Sequence, residues 1–335
     1  MTTRIRRAGS EDTHAIAALL LKDAKIREAL NPDLWAIAPD APMRVFAALD
    51  TISHPITGPI RHHWTVAERN GIIAAVTHGV ILPAPPIIDL RGGDAGVLLD
   101  DCHFSDEQEV SGPLLAATER ALSEDGAVLF VAASPIHWVT RTRFLEGAGY
   151  EPTTLYMVNA GFAPSPPVGD VRKATARDIE GIVRLSALHR KQLQDANPIF
   201  WNIHPEADER FAGWMKASLD FPDRSMLVSG PPEHIEGFII AQPGSPLHLP
   251  PAHDVSQIGL IDDFHAIAFE LPDESTAHTD RALALLRAAE GAFSDRGLKA
   301  AMAICPVRMT AKANILQRGG YEAANLWMVK SGMHV

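Results

Sequence analysis

Hydrophobic and polar positions follow one order of elements, and that order occurs twice along the chain. In the first half Ile16, Leu19 and Leu20 recur at helical spacing, as do Ile182 and Leu185 in the second half. Each half then predicts a hairpin, a strand, a helix, another strand, a short helix and a last strand. This alternation is typical of a mixed sheet with helices on its faces. The sequence therefore predicts an α/β fold, with an α+β mixed sheet in each half.

The repetition is also visible in the residues themselves. Three blocks recur in the same order: "LNPDLWAIAP" (30–39) as "ANPIFWNIHP" (196–205), "LLDDCH" (98–103) as "LIDDFH" (260–265), and "GYEPTTLYMVNAG" (149–161) as "GYEAANLWMVKSG" (320–332). Their collinearity indicates a duplicated domain. The proline after Asn31 and after Asn197 predicts that a helix stops at each asparagine, because proline disfavours helical geometry in the residue before it.

The boundary between the copies is marked by "GFAPSPPVGD" at residues 161–170. Proline and glycine at this density interrupt both helices and central strands. We therefore predict an N-terminal domain at 1–161, a linker at 162–170 and a C-terminal domain at 171–335.

Composition and charge narrow the classes of function. The formal net charge is −11, with 30 basic and 41 acidic residues, which argues against a nucleic-acid-binding surface. We find no apolar run of about 18 residues, so no membrane span is expected, and the cytoplasm is the default location. The two cysteines give neither a disulfide framework nor a metal-binding spacing. No metal is expected, and the oligomeric state stays open.

The order of elements, with "EGAGYEPTTLYMV" and "QRGGYEAANLWMV" near the ends of the halves, resembles the GNAT acyltransferase superfamily. The resemblance covers nearly the whole chain and implies two GNAT-like domains in tandem, with acetyl-CoA as co-substrate and a small-molecule amine as acceptor. Two family features are missing. The glycine-rich loop that holds the CoA pyrophosphate is degenerate in both halves, and leucine (Leu145, Leu316) replaces the tyrosine that protonates the leaving thiolate.

The cofactor loops of the two copies differ in charge. The first carries Asp106, Glu107 and Glu109, whereas the second begins with Asp273 and Glu274 but continues with donors such as Thr279 and Arg281. If one copy binds CoA, this difference favours the C-terminal copy. Alternatively, the hydroxyl groups only cap a helix. The candidate cofactor residues are His265, Ala266, Ile267, Thr279, Asp280, Arg281 and Ala282 in the second copy, and Ser111 and Gly112 in the first.

The paired aspartates are the candidates for catalysis. The resemblance implies that Asp263 and Asp101 lie on the strand that often carries the general base of the family, and burial in a cleft would raise the pKa of such a carboxyl. In the alternative interpretation, these aspartates form salt bridges with Arg6 or Arg172. His62 and the adjacent His63 are expected in a loop before the hairpin.

The repeated Asn-Pro-x-x-Trp segment follows the first helix, where the family builds the acceptor side of its cleft. Asn31, Trp35, Asn197 and Trp201 are therefore candidate substrate-binding residues, although the tryptophans could equally pack on the core. The expected activity is acetyl-CoA-dependent N-acetyl transfer. A non-catalytic tandem protein that binds a ligand or partner is the alternative, and an aminoacyl or longer-acyl transferase is a third possibility.

Overall fold

The structure, a computed structural model, describes residues 3–54, 58–162, 169–231, 233–270 and 276–332. The N-terminal half contains β1 (Thr3–Arg7), α1 (Thr13–Leu30), α2 (Ala41–Leu49), β2 (Arg61–Arg69), β3 (Ile72–Leu82), β4 (Asp94–Leu98), α3 (Gln108–Glu124), β5 (Ala127–Pro135), α4 (Val139–Gly147) and β6 (Glu151–Ala160). The C-terminal half contains β7 (Arg172–Lys173), α5 (Ile179–Ala196), α6 (Ala207–Ser218), β8 (Ser225–Ser229), β9 (Gly237–Pro243), β10 (Ile258–Ala266), α7 (Thr276–Ser294), β11 (Ala300–Pro306), α8 (Thr310–Arg318) and β12 (Glu322–Ser331).

The two halves have the same element order, so the predicted duplication and mixed α/β fold are confirmed. The predicted domain boundary stays a prediction, and residues 163–168 of the predicted linker lie outside the described residues.

All twelve strands form one sheet, in the order β1-β2-β3-β4-β5-β12-β6-β11-β10-β9-β8-β7. The last strand of each half lies in the other half's part of this sheet. β12 pairs with β5 over Asn325–Ser331, and β6 pairs with β11 over Thr154–Ala160. The two exchanged strands also pair with each other at the centre of the sheet. Neither half therefore completes its own sheet.

Helices cover both faces of the sheet. α1 and α2 pack on Trp64, Val66 and Val76, which point to one face of the β2–β3 hairpin. α3 packs on the opposite face, where Val110 and Leu114 contact alanines of the same two strands. α5 and α6 lie on one face of the second hairpin, and α7 lies on the other. Alternation of side chains along each strand produces the two apolar faces.

The Asn-Pro pairs end the first long helix of each half, as predicted. α1 stops at Leu30, and the Asn31 side chain then accepts a hydrogen bond from the backbone N–H of Leu34 at 3.0 Å. α5 stops at Ala196, and Asn197 accepts in the same way from Phe200 at 3.0 Å. Both asparagine oxygens thus cap the turn that follows the helix.

Each tryptophan of the repeat packs against strands of the opposite half. Trp35 is 3% exposed and lies in a cluster with Leu249, Ile258 and Leu260 of the C-terminal half. Its carbonyl oxygen accepts a hydrogen bond from His253 Nδ1 at 2.7 Å. Trp201 packs on a cluster of N-terminal residues, namely Val80, Ile88, Leu90, Val97, Leu129 and Val131, together with Val329 of β12. The repeated segment therefore joins the two halves.

Within the described ranges, no helix is both long enough and apolar enough to cross a membrane.

Trp35→Ala should lower the free energy of unfolding by about 3–5 kcal/mol, because it leaves a large cavity between the halves. Trp214→Ala is the matched control, since this indole on α6 is 39% exposed and its removal should cost about 1 kcal/mol or less. Denaturant unfolding followed by circular dichroism measures both. Equal losses for the two variants would show that Trp35 does not stabilise the junction.

Candidate active site

A gap opens in each half where two parallel strands separate at the paired aspartates. β10 pairs with β11 only from Ile258 to Ile261, although both strands continue further. In the N-terminal half, β4 ends at Leu98 while β5 continues to Pro135. Beyond the separation, the backbone N–H and C=O groups no longer form hydrogen bonds with the neighbouring strand, so they are available to a ligand.

The N-terminal gap leads into a cavity of about 780 Å³. Its wall is formed by α1, by the loop before α3 and by the start of α4, and includes Asp23, His103, Phe104, Trp138, Arg141 and Phe144. A second hollow of about 270 Å³ continues from it between α3 and α4, past Gly112 and Leu115. The larger volume lies in the range of small-molecule and cofactor sites, about 300–1,000 Å³.

Two buried arginines flank the N-terminal gap. Arg27 is 1% exposed, and its guanidinium carbon lies 4.7 Å from the ring centre of Trp138 and 5.5 Å from that of Trp35. Arg141 is 6% exposed and donates to the Cys102 carbonyl at 3.4 Å. No carboxylate in the described parts of the chain forms an ion pair with Arg141. The cavity wall thus holds a buried positive charge without a paired anion.

The exchanged strand completes this site. Asn325 of β12 donates to Asp100 Oδ2 at 2.6 Å, and Arg27 donates to the Asp100 carbonyl oxygen at 2.6 Å. Asp100 is 7% exposed and Asn325 is 3% exposed. A residue of the C-terminal half therefore donates to one oxygen of a buried carboxylate of the N-terminal half.

Asp101 is joined to two histidines. Its carboxylate accepts from His78 Nδ1 at 2.8 Å, and His78 Nε2 lies 2.9 Å from His62 Nδ1. The neighbouring His103 pairs with Asp23 of α1 at 2.9 Å. The prediction that His62 and His63 lie in a loop is wrong. Both belong to β2, and His63 Nε2 contacts Asp125 on the opposite face.

The alternative salt bridges of the paired aspartates are also wrong. Arg6 binds Asp12 at 2.6 Å and Glu68 at 3.0 Å. Arg172 binds Asp178 at 2.7 Å. Asp12, Glu68 and Asp178 are therefore the partners of these arginines, and the histidine contacts of the aspartate pairs are made by Asp101 and Asp263.

The predicted N-terminal cofactor residues border the second hollow. Gly112 faces open space, since a Cβ added there would meet no atom within 4 Å. Ser111 is 1% exposed and its hydroxyl donates to the Ser105 carbonyl at 2.8 Å, so it stabilises the loop before α3. Glu107, one of the acids of this loop, forms an ion pair with Arg69.

Four of the predicted C-terminal cofactor residues, Ala266, Ile267, Arg281 and Ala282, line a depression that, among the described residues, is too shallow to hold a water molecule. Arg281 forms ion pairs there with Glu236 and, at 3.4 Å, with Asp170. Thr279 is buried, Asp280 is exposed, and Ala266, Ile267 and Ala282 line the depression. Residues 271–275 of this loop lie outside the described residues. The guanidinium predicted to bind phosphate is therefore already paired within the chain.

Asp263 and His265 point towards α5, as strand alternation predicts. Asp263 accepts from His189 Nδ1 at 3.0 Å, and His265 Nε2 contacts Glu270 at 3.0 Å. Burial, with a contribution from His189, lowers the pKa of His265 to about 2, so this imidazole is neutral. Lys312 is 2% exposed, lies 5.8 Å from the ring centre of Phe264, and occupies the place that Arg141 has in the other half.

The structure brings Asp101 close to the N-terminal gap and Asp263 and His265 close to the C-terminal gap. The four residues of the repeated segment cap helices or pack between halves, and a substrate contact for them stays a prediction. Residues that sequence reasoning missed include Arg27, His62, His78, Arg141 and Asn325. A histidine inside the apolar run "THGVIL" was the available signal for His78, because a buried polar group needs a partner.

Asn325→Ala should lower the free energy of unfolding by about 1–3 kcal/mol, because Asp100 loses its buried donor. Combining it with Asp100→Ala should cost less than the sum of the single changes, with a coupling of about 0.5–3 kcal/mol. Denaturant unfolding of the four proteins in this double-mutant cycle measures the coupling. Strict additivity would mean that the exchanged strand does not stabilise this carboxylate.

No protein-family model matches the chain, and no curated protein matches it.

Solved structures match the chain over nearly its whole length. A GCN5-related N-acetyltransferase from Sphaerobacter thermophilus has 15% identity and a TM-score of 0.59, covering 98% of this chain and 95% of that one. A tandem GNAT protein from the clavulanic acid biosynthesis pathway has 9% identity and a TM-score of 0.49, covering 100% of both chains. Agreement in topology at such low identity reports on the fold. The chain therefore has the fold of the GNAT superfamily, present in two copies within one continuous sheet.

Proposed function

We propose that this protein is an acyltransferase that uses acetyl-CoA as the donor and a small amine as the acceptor, with the donor bound in the N-terminal half. The observation that carries the proposal is the cavity of about 780 Å³ at the point where β4 and β5 separate. The GNAT fold of the solved structures supports the class of reaction. The charge of the two cofactor loops favours the C-terminal half as the donor site, but the cavity of about 780 Å³ lies in the N-terminal half.

The cavity offers groups that suit a CoA thioester, beside the acidic Asp106 on its wall and Glu109 in the first turn of α3. The start of α3 borders both hollows, and helix N-termini favour phosphate groups through their free N–H groups and dipole. Gly112 leaves the surface of α3 open, so a pantetheine arm can lie against it. Arg141 and Lys22 add positive charge to the cavity wall. Acetyl-CoA supplies an activated acyl group when it is bound.

In this proposal the C-terminal half supports the donor site of the N-terminal half and does not itself bind acetyl-CoA. Its strand β12 supplies Asn325 to the N-terminal site, while in its own half the buried Lys312 lies over the rings of Phe264 and Phe269. Arg281 of its α7 forms ion pairs with Glu236 and Asp170. We infer that this copy serves as a scaffold for the other one.

Calorimetric titration with CoA and acetyl-CoA tests the donor site. Gly112→Leu should weaken binding at least about tenfold, a loss of about 1.4 kcal/mol, because the side chain enters the second hollow. The fold should tolerate it, since leucine favours helices over glycine. Gly213→Leu is the matched control. Gly213 lies in α6 and also faces open space, so this variant should bind acetyl-CoA as the wild type does.

Arg281→Gln tests the choice of half. It breaks the ion pairs with Glu236 and Asp170, yet acetyl-CoA affinity should stay within about twofold, well under the tenfold that 1.4 kcal/mol represents. A large loss in Arg281→Gln with no loss in Gly112→Leu would move the donor site to the C-terminal half. If the wild type binds neither CoA nor acetyl-CoA at millimolar concentration, the non-catalytic alternative holds.

A further inference from the structure

A histidine paired with a buried carboxylate lies on the wall of the large N-terminal cavity. Asp23 of α1 and His103 both line this cavity. Both carboxylate oxygens of Asp23 lie within hydrogen-bond distance of His103 Nδ1, at 2.9 and 3.0 Å. The Asp23 side chain is 7% exposed, whereas that of His103 is 17% exposed. The carboxylate is therefore largely enclosed, and a ligand in the cavity meets the imidazole.

The backbone of His103 is also held in place. After β4 ends at Leu98, the chain continues along β3. There the His103 N–H donates to the Val76 carbonyl, and the Val76 N–H donates to the His103 carbonyl, each at 2.9 Å. These two bonds form an isolated β-bridge. The imidazole is thus fixed at two points, by β3 at its backbone and by Asp23 of α1 at its ring.

The pair with Asp23 determines which ring nitrogen of His103 faces a ligand. An ionised Asp23 only accepts, so His103 Nδ1 carries the hydrogen and, in the neutral ring, Nε2 keeps a free lone pair. Among the described residues, Nε2 has no hydrogen-bond partner, yet it is not enclosed as His189 Nε2 is in the other half. The lone pair is therefore open to the cavity. A carboxylate that orients an imidazole in this way is a common arrangement for a catalytic base.

The other acid–base groups of the cavity lack such an orienting partner. Asp106 and His137 also line the cavity, but both are exposed, and no hydrogen bond to the side chain of either is formed within the described parts of the chain. Asp101 is 3% exposed, and its carboxylate contacts His78 Nδ1 at 2.8 Å. His103 is therefore the wall residue best placed to take a proton from a ligand.

The cavity brings His103 and the proposed donor to one place. Gln108, Phe144 and Gly147 line both the large cavity and the second hollow, so the two spaces adjoin. A pantetheine arm that passes Gly112 in the second hollow therefore delivers its thioester to the cavity that His103 lines. Base, amine and thioester carbonyl can meet there, as direct transfer requires, because reacting atoms must approach to about 3–3.5 Å.

The equivalent pair in the C-terminal half is closed. His189 stands at the place of Asp23, and His265 stands at the place of His103. These two rings stack with centres 5.3 Å apart. The His265 side chain is 0% exposed, its Nε2 contacts Glu270 at 3.0 Å, and its Nδ1 is enclosed. Of the two equivalent histidines, only His103 has an open ring nitrogen.

From this geometry we infer that His103 is the catalytic base that accepts the proton of the acceptor amine, and that Asp23 is a positioning residue that orients the ring and stabilises its charge. The inference rests on the proposed acyl transfer. As the nitrogen of a neutral amine forms a C–N bond with the thioester carbonyl carbon, one of its protons moves to His103 Nε2. The C–S bond breaks with its electron pair on sulfur, and the thiolate takes a proton from solvent water. The imidazolium returns its proton to solvent, which restores the base.

His103→Gln should lower kcat about 100-fold, the usual contribution of a general base, because the glutamine amide does not accept a proton at neutral pH. The assay measures the CoA thiol released with a panel of primary amines as acceptors. Affinity for acetyl-CoA, measured by calorimetry, should stay within about twofold, because the base acts only in the reaction itself. Asp23→Asn should show the same separation, with a lower kcat and an unchanged affinity.

His63→Gln is the matched control. His63 also pairs with a carboxylate, that of Asp125 at 2.8 Å, and its side chain is 23% exposed, but it lies outside the cavity and the second hollow. Its kcat should stay within about twofold of the wild type, far from the loss expected of a general base. If His103→Gln retains the wild-type kcat, the role of His103 is overturned and the proposed function survives. If the wild type transfers acetyl to no amine of the panel, both are overturned.

Nitrogen-15 NMR of the histidine rings gives a readout that depends neither on activity nor on a folded His103 variant. The neutral ring of His103, assigned by through-bond correlation, should be protonated at Nδ1 and bare at Nε2. Asp23→Asn should move the hydrogen to Nε2, because an asparagine amide can donate to Nδ1. A purely structural role of Asp23 would leave the tautomer unchanged. A wild-type ring protonated at Nε2 and bare at Nδ1 would contradict the assignment of the base.

Discussion

The exchange of the last strands between the two halves is the constraint on which the rest of the structure depends. A central strand must have hydrogen-bonding partners on both sides, because unpaired backbone groups in a buried sheet are costly. β5 finds its partner in β12, and β11 finds its partner in β6. The two halves therefore fold as one sheet, although the sequence repeats as two units.

The repeated Asn-Pro-x-x-Trp segments reinforce this junction. Each ends a helix with an asparagine cap and carries its tryptophan onto the strands of the opposite half. Two isolated β-bridges, Ile37–His253 and Ile88–Ile203, also connect the two halves at these segments. Because both copies need the same junction, both keep the segment. Its conservation between the halves is explained by packing, whatever ligand each half binds.

The two gaps have the same order of strands and helices around them, but their side chains pair differently. In the N-terminal gap Asp23 pairs with His103, and Asp101 is left to His78. In the C-terminal gap His189 stands at the place of Asp23 and takes Asp263 instead. Buried charges such as Arg27 and Arg141 cost desolvation energy, and such groups concentrate at functional sites. Buried basic side chains occur in both halves, since Lys312 and Arg190 are also buried, but among the described residues the cavity of about 780 Å³ lies in the N-terminal half.

The sequence alone determined the duplication, the order of elements, the mixed α/β fold and the helix ends at Asn31 and Asn197. These features follow from local periodicity and from proline geometry, which act over a few residues. Asp101 became a candidate because the family resemblance implies an acid on the fourth strand, but β4 ends at Leu98 and Asp101 lies in the segment that follows it. Its partners His78 and His62 were not candidates, because they lie on β3 and β2 and meet it only through sheet register.

Only the tertiary structure revealed the cavity of about 780 Å³ that the described residues form at the N-terminal gap. The two cofactor loops differ in charge, and their charge alone favours the C-terminal copy. Folding pairs Arg281 with Glu236 and Asp170, and leaves Arg141 unpaired beside an open gap. Whether a charged side chain is free for a ligand depends on neighbours that are distant in sequence, as Glu236 and Asp170 are from Arg281.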